Sequence, residues 1–345
     1  MKTFLWQLLC EPSDFCYFRK RIGKIFQLSV KIHGNHALES EVVVDTTVQE
    51  KNITFPTDTK FRVKVIARCW KIAEKENLVL RRSYRREGKK LLRTIRFNRN
   101  KNTKLRNSAL RRIKTIANAL LNDIARKLAP EVKTRLCKVL DLYGRAVNQK
   151  RNDKNKIYSL HEPEVHCIAK GKEQKKYEFG TKVAFAQTIT DGIRVGVQNA
   201  RNEYDGNCLA PLLEQVEGLT GKCPERVFYD HGFRGNKEIG GTKIEIPDVP
   251  KKDLTAHNRR KAQTKFRRRS AIEAVISHVK HDFRMARNYL KGTVGDTLNL
   301  LLAAAAFNFR KWMRATTLIF FVLFFVCKFI GSLSSGTHPV PIPEA

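Results

Sequence analysis

The chain has 345 residues and a formal net charge of +34, from 67 Lys+Arg against 33 Asp+Glu. Hydrophobic residues make up 42 % and aromatics 9 %, enough to bury a core in one large or two ordinary domains, which excludes a wholly disordered basic tail. Such a charge repels itself and attracts polyanions, so it argues against an enzyme of small neutral metabolites and for nucleic acid, or less readily an anionic membrane face.

Residues 1–40 are expected to form a short, mainly helical region, in which residues 18–24 (FRKRIGK) make a basic aromatic patch. Residues 1–10 (MKTFLWQLLC) make a poor signal peptide, with one Lys and no small-residue cleavage site. A sharp strand signal follows at 41–48 (EVVVDTTV), whose three consecutive Val suggest a strand buried on both faces. Residues 60–155 hold 30 Lys+Arg and 7 Asp+Glu, so most of the excess charge sits here. Apolar residues recur at helical spacing from Leu105 through Ile113, Ile116, Leu120 and Ile124 to Leu128, which predicts two to four amphipathic helices with a basic outer face.

The period changes after residue 156. Residues 176–190 and 193–197 read as strands joined by Asp191-Gly192, a hairpin turn. Residues 209–219 read as a helix, 226–229 as a strand running into Asp230 and a Gly-containing loop, and 242–246 as another strand. A basic linker is expected over 251–269, with nine Lys/Arg and one Asp, then helices over 270–287 and 296–314. The 13 uncharged residues 315–327 fall short of the roughly 20 that span a bilayer, so a buried terminal helix or strand is expected there in preference to a membrane anchor. The Ser/Gly/Pro-rich end, 331–345, is expected to be disordered. The eight cysteines form no C-x-x-C pair and are read as reduced thiols in a cytosolic protein, mostly core filler. The run His161-Glu-Pro-Glu-Val-His166-Cys167 matches no zinc spacing, and Asp205 is expected in a turn.

Carboxylates are scarce in so basic a chain, and three are well placed for chemistry. Asp45 follows Val42, Val43 and Val44 on a predicted core strand. Asp230 directly follows the strand 226–229. Glu273 lies on a helix face with Arg269 and Lys280, at spacings of four and seven residues. Phosphodiester chemistry commonly uses two divalent ions, and Mg²⁺ takes hard oxygen ligands.

These motifs resemble those of the RNase H-like DDE transposases of prokaryotic insertion sequences, in the large insertion-sequence family five group. The resemblance rests on residues 43–53 (VVDTTVQEKNI), 177–183 (YEFGTKV), 204–206 (YDG), 230–235 (DHGFRG), 269–273 (RSAIE) and 284–292 (RMARNYLKG). The group's signature of Tyr, Arg, Glu and Lys falls on Phe266, Arg269, Glu273 and Lys280, with Phe266 in the Tyr place. The resemblance covers about residues 10–315. It implies an α/β, RNase H-like mixed-sheet catalytic core over 41–55 and 156–314. A basic helical insertion, 56–155, would follow the first strand, and 315–345 would form an apolar C-terminal segment and tail.

The resemblance further implies that Asp45, Asp230 and Glu273 are the catalytic residues and bind two Mg²⁺ (or Mn²⁺) ions. Arg269, Lys280, Arg268, Arg267 and Arg234 would contact DNA. The implied partners are transposon terminal inverted repeats and target DNA, with the protein acting as a homodimer in a prokaryotic cytoplasm, associated with the nucleoid. Only 44 residues precede Asp45, fewer than in many relatives, which implies a reduced N-terminal recognition region or a truncated copy. The alternative is a non-catalytic basic DNA-binding protein, including an inactive transposase relic.

Overall fold

A computed structural model describes residues 12–98, 100–150, 152–169, 176–201, 204–230, 233, 237–247 and 255–334. The chain divides into two compact units: residues 1–50 with 181–345, and residues 51–180. The expectations for residues 1–10, for Arg234 and for the end of the tail from 335 lie outside the described residues.

The first unit is a mixed α/β structure. Helix α1 (Pro12–Lys31) precedes strand β1 (Glu41–Lys51). The helical reading of the N-terminal region and the strand reading at 41–48 therefore hold. Val42, Val43 and Val44 are all buried, as three adjacent Val in a strand covered on both faces require. The hairpin forms from β3 (Tyr177–Thr188) and β4 (Arg194–Arg201), antiparallel partners. Gly192 in its turn has φ +61°, a conformation that suits glycine. Helix α6 (Leu209–Thr220) ends at Gly221 in the left-handed region, a common helix stop.

Strands β5 (Arg226–Phe228) and β7 (Thr242–Glu245) then run parallel to their neighbours: β1 pairs with β5 and β5 with β7. Strand β6 (Glu238–Ile239) pairs antiparallel with β7, and β8 (Arg287–Asn288) pairs with β1. The sheet order here is β3-β1-β5-β7-β6.

Two readings near the C-terminus need correction. Residues 256–269 are not a linker but the first half of helix α7 (Ala256–His281). Its first turn is capped by the Thr255 hydroxyl, which accepts from the Asn258 N–H at 3.5 Å. The helix also stops at His281 rather than continuing to 287, and residues 287–288 join the sheet instead. Helix α8 (Gly292–Ser334) starts before residue 296 and runs through the apolar 315–327 stretch. Among the described residues, no helix is long and apolar enough to cross a membrane.

One apolar core joins these elements, with Phe26 and Val30 of α1, the β1 valines, Phe185, Val195, Leu212, Phe228, Ile272, Ile276 and Leu300. Buried polar side chains lock its helices. Asn308 on α8 accepts from the Arg194 backbone N–H and donates to the Arg194 carbonyl, both at 2.9 Å, and donates to Ser29 of α1 at 3.3 Å. Asp296 accepts from Thr181 at 2.9 Å and from Asn288 at 2.6 Å.

The second unit holds four helices among its described residues: α2 (Asp58–Lys75), α3 (Arg85–Phe97), α4 (Thr103–Lys127) and α5 (Pro130–Asn148). Four is the upper end of the expected range. Asn102 caps α4, its side chain accepting from the Leu105 N–H at 2.9 Å, and Pro130 opens α5, where its missing N–H costs nothing. Ile113, Ile116, Leu120 and Ile124 are buried, as their spacing predicts, whereas Leu105 is exposed. Strand β2 (His166–Ala169) pairs antiparallel with residues 177–180 of β3. In the 161–167 run, Glu162 is buried against Lys51 at 3.5 Å.

Cysteine burial is more varied than core filler implies. Cys69 and Cys208 are buried, but Cys16 and Cys137 are exposed.

Candidate functional site

The sheet register brings two of the carboxylates together. Strands β1 and β5 are parallel, with Val43 opposite Phe228. Two residues further along each chain stand Asp45 and Asp230. With the two strands parallel and about 4.8 Å apart, this places Asp45, within β1, beside Asp230, two residues past the end of β5. Asp45 is half-buried and its Oδ1 accepts from the Thr46 N–H at 2.7 Å.

Glu273 reaches the same place from α7. Ile272, Ile276 and Val279 bury one stripe of that helix in the core, which fixes its rotation. Arg269, one turn before Glu273, ties the two elements. Its Nη2 lies 3.0 Å from Asp230 Oδ1 and 3.4 Å from Glu273 Oε1. The Arg269 side chain is only 13 % exposed, against 43 % for Asp230 and 62 % for Glu273. A cation on the inner side thus neutralises carboxylates that open outward.

The electrostatics show that Asp45 shares this environment. Burial raises its carboxyl to about 6. The Thr46 N–H acts against that rise, Asp230 adds to it, Arg269 opposes it and Glu273 adds again. A second cation, Arg194, is the first residue of β4. Arg194 is completely buried, and none of its guanidinium nitrogens finds a hydrogen-bond partner. The Phe185 and Phe307 rings face it at 4.7 and 5.6 Å. Burial lowers its pKa and the charge of Asp45 opposes that fall. Cation–π contact and a distant carboxylate stand in for hydrogen bonds here. The sequence carries little warning of this, because Arg194 is one charge inside a strand pattern.

The remaining basic residues separate in space. Arg268 pairs with Glu41 at 3.2 Å, so its charge is partly engaged within the protein. Arg267 is exposed. Lys280 is half-buried two turns beyond Glu273 on α7. Phe266 is half-buried on the same helix. Asp205 opens a 3₁₀ turn, Asp205–Cys208, in agreement with the turn reading. Asp282 pairs with His278 at 3.1 Å and Arg310 at 2.9 Å.

Among the described residues, no three His, Cys, Asp or Glu side chains stand together as a ready-made metal site. The donor chemistry nevertheless fits a hard divalent cation. Three carboxylates supply only oxygen ligands, and Arg269 bridges two of them as a positive charge.

Comparison with known proteins finds one family. Residues 241–313 match the family model described as Transposase DDE domain. The match takes in β7, α7, β8 and the start of α8, and so Arg269, Glu273 and Lys280; it leaves out Asp45 and Asp230. It supports reading the chain as a DDE transposase. No curated protein and no solved structure matches the chain.

Proposed function

We propose that the protein is an insertion-sequence transposase of the family five group, with an RNase H-like core over 41–55 and 156–314 carrying a basic helical insert, 56–155. The observation that carries this reading is the bridging of Asp230 and Glu273 by Arg269, with Asp45 electrostatically coupled to all three. The transposase match over 241–313 is independent support.

Asp45, Asp230 and Glu273 would hold two Mg²⁺ or Mn²⁺ ions. When bound, these supply Lewis-acid stabilisation to the attacking and leaving oxygens of an in-line displacement. The chain's own residues do the rest. The three carboxylates, on β1, just past β5 and on α7, would hold those ions. Arg269 orients Asp230 and Glu273 and offers its guanidinium to a phosphate oxygen. Lys280, Arg267, Arg268 and Arg234 grip the flanking backbone. In the first step water attacks the phosphorus at the element's end, and the 3′-oxygen leaves as a hydroxyl. In the second, that hydroxyl attacks a target phosphodiester, displacing the target's own 3′-oxygen. The protein would act as a homodimer on paired inverted repeats, at the nucleoid of a prokaryotic cell.

The test is labelled DNA bearing the element's inverted repeats, incubated with protein and Mg²⁺. Strand cleavage that disappears in Asp45→Ala, Asp230→Ala and Glu273→Ala is the expected result. Unchanged cutting in the three variants would overturn the metal assignment. Tight binding without any cutting by the wild type would leave a basic DNA-binding protein instead.

A further inference from the structure

The first unit carries a second surface that the carboxylate site does not use. A cleft of about 490 Å³ lies between α1 and the β8–α8 turn, lined by Arg19, Lys20, Tyr289, Lys291, Val294 and Leu298 among others. Three of these are cations, and no acidic side chain lines the cleft among the described residues. Its apolar groups are unusually open to water. Tyr289 is 71 % exposed and Val294 70 %. Tyr17 on α1, 60 % exposed, extends the surface, since Lys20 from the cleft wall lies 5.9 Å from its ring centroid. The cleft is firmly built from below. Gly295 packs so closely on Leu290 that a Cβ there would meet it at 2.8 Å.

Exposed apolar surface rimmed with charge marks a binding site. A cationic rim selects a polyanion, and exposed aromatic rings select a partner with flat, unpaired π-faces. Duplex DNA offers phosphates but keeps its bases stacked; single-stranded nucleic acid offers both. We infer that this cleft binds unpaired nucleotides, with Arg19, Lys20 and Lys291 on the phosphates and Tyr289 stacked on a base. The inference deepens the DNA reading above and rests on it. It adds a site for single-stranded DNA apart from the carboxylates.

The experiment uses the full chain with chelator present, so that binding is read without cleavage. A short oligothymidylate carrying 5-iododeoxyuridine is photocrosslinked to the protein, and the crosslinked peptides are identified by mass spectrometry. Crosslinks are expected at residues 17–20 and 289–298. In titrations, Tyr289→Leu should weaken single-strand affinity by about 5- to 100-fold, the worth of one stacked base. Tyr289→Phe should restore it, and duplex affinity should stay unchanged in both. Tyr289 is exposed, so neither variant should unfold the protein.

Crosslinks confined to other segments would overturn the inference, as would equal losses for single strand and duplex. Binding to phosphatidylserine vesicles that Tyr289→Leu abolishes, with oligonucleotide affinity untouched, would assign the cleft to a membrane instead. Failure of end cleavage in Mg²⁺ would count against the transposase reading while leaving the crosslinking result intact, so the two failures are separable.

Discussion

Replacing Asp45 with Asn should make the metal-free protein more stable while abolishing cleavage. The folded chain raises the Asp45 carboxyl from 3.8 to about 6, mainly through burial and next through its acidic neighbours, against the opposition of the Thr46 N–H and Arg269. That is roughly two powers of ten in proton affinity, or about 3 kcal/mol as a ceiling. Below pH 3.8 folded and unfolded chains both hold the proton, so this carboxyl costs the fold nothing. As pH rises from there through about 6, the unfolded chain ionises first and wild-type stability falls. Above that window the deficit is constant.

Asn keeps the oxygen that accepts from Thr46 and carries no charge, so the variant escapes the loss. Urea unfolding with chelator, at about pH 4 and about pH 8, measures it; the expected advantage of the variant is about 0.5 kcal/mol at the lower pH and about 1.5–3 kcal/mol at the higher. Added Mg²⁺ should then stabilise the wild type and not the variant. A variant less stable than wild type at the higher pH, or an advantage equal at both, would refute the reasoning.

Other outcomes follow from the same structure. Arg269→Ala should lower cleavage by about 10- to 100-fold, because it leaves Asp230 and Glu273 unoriented; single-turnover rates at saturating DNA test this, and an unchanged rate would remove Arg269 from the site. Asn308→Ala strips the buried Arg194 backbone N–H and carbonyl of their partner, at about 1–3 kcal/mol each; an unaltered thermal midpoint would contradict that. Gly196→Ala would drive a Cβ to 2.8 Å from Val216 and 3.0 Å from Leu212, so a loss of about 1–3 kcal/mol is expected in denaturant titration. DNA affinity should fall about 10³- to 10⁵-fold between roughly 50 and 200 mM salt if six or more phosphates are contacted, and a flat salt profile would exclude backbone recognition.

What could be read in advance divides along physical lines. The β1 strand was legible because three β-branched residues in a row have few other uses, and the β3–β4 hairpin because Asp191-Gly192 is a strong turn signal. The helices of the second unit announced themselves by apolar periodicity. The first half of α7 did not: its run of Arg and Lys has no apolar stripe, and its helicity comes from the Thr255 cap and continuity with the anchored second half. Strands of two residues, β6 and β8, have no sequence pattern at all, since tertiary pairing alone makes them. Asp45, Asp230 and Glu273 stood out because acids are rare in this chain and these fall on or just after predicted strands and on a helix face with Arg269 and Lys280; their grouping into one site came from the family resemblance. Arg194 was invisible, because nothing in a linear pattern says that a charge faces inward. Asn308 left a fainter trace, as one amide inside an otherwise apolar helical run.

Helix α7 has one more consequence. Its core contacts all lie in its C-terminal half, at Ile272, Ile276 and Val279, while residues 255–261 are exposed throughout. The basic half is therefore a cantilever fixed at the end that bears Glu273. From Arg259 to Glu273 the helix rises about 21 Å. That length corresponds to roughly six base pairs of duplex at 3.4 Å per step. On the proposed reading, with DNA seated at Glu273 and running along α7, the distance from phosphates held at the helix tip to the cut would be set by the number of residues between Arg259 and Glu273. One residue inserted between Arg259 and Arg269 would lengthen the helix by about 1.5 Å and turn its tip by about 100°.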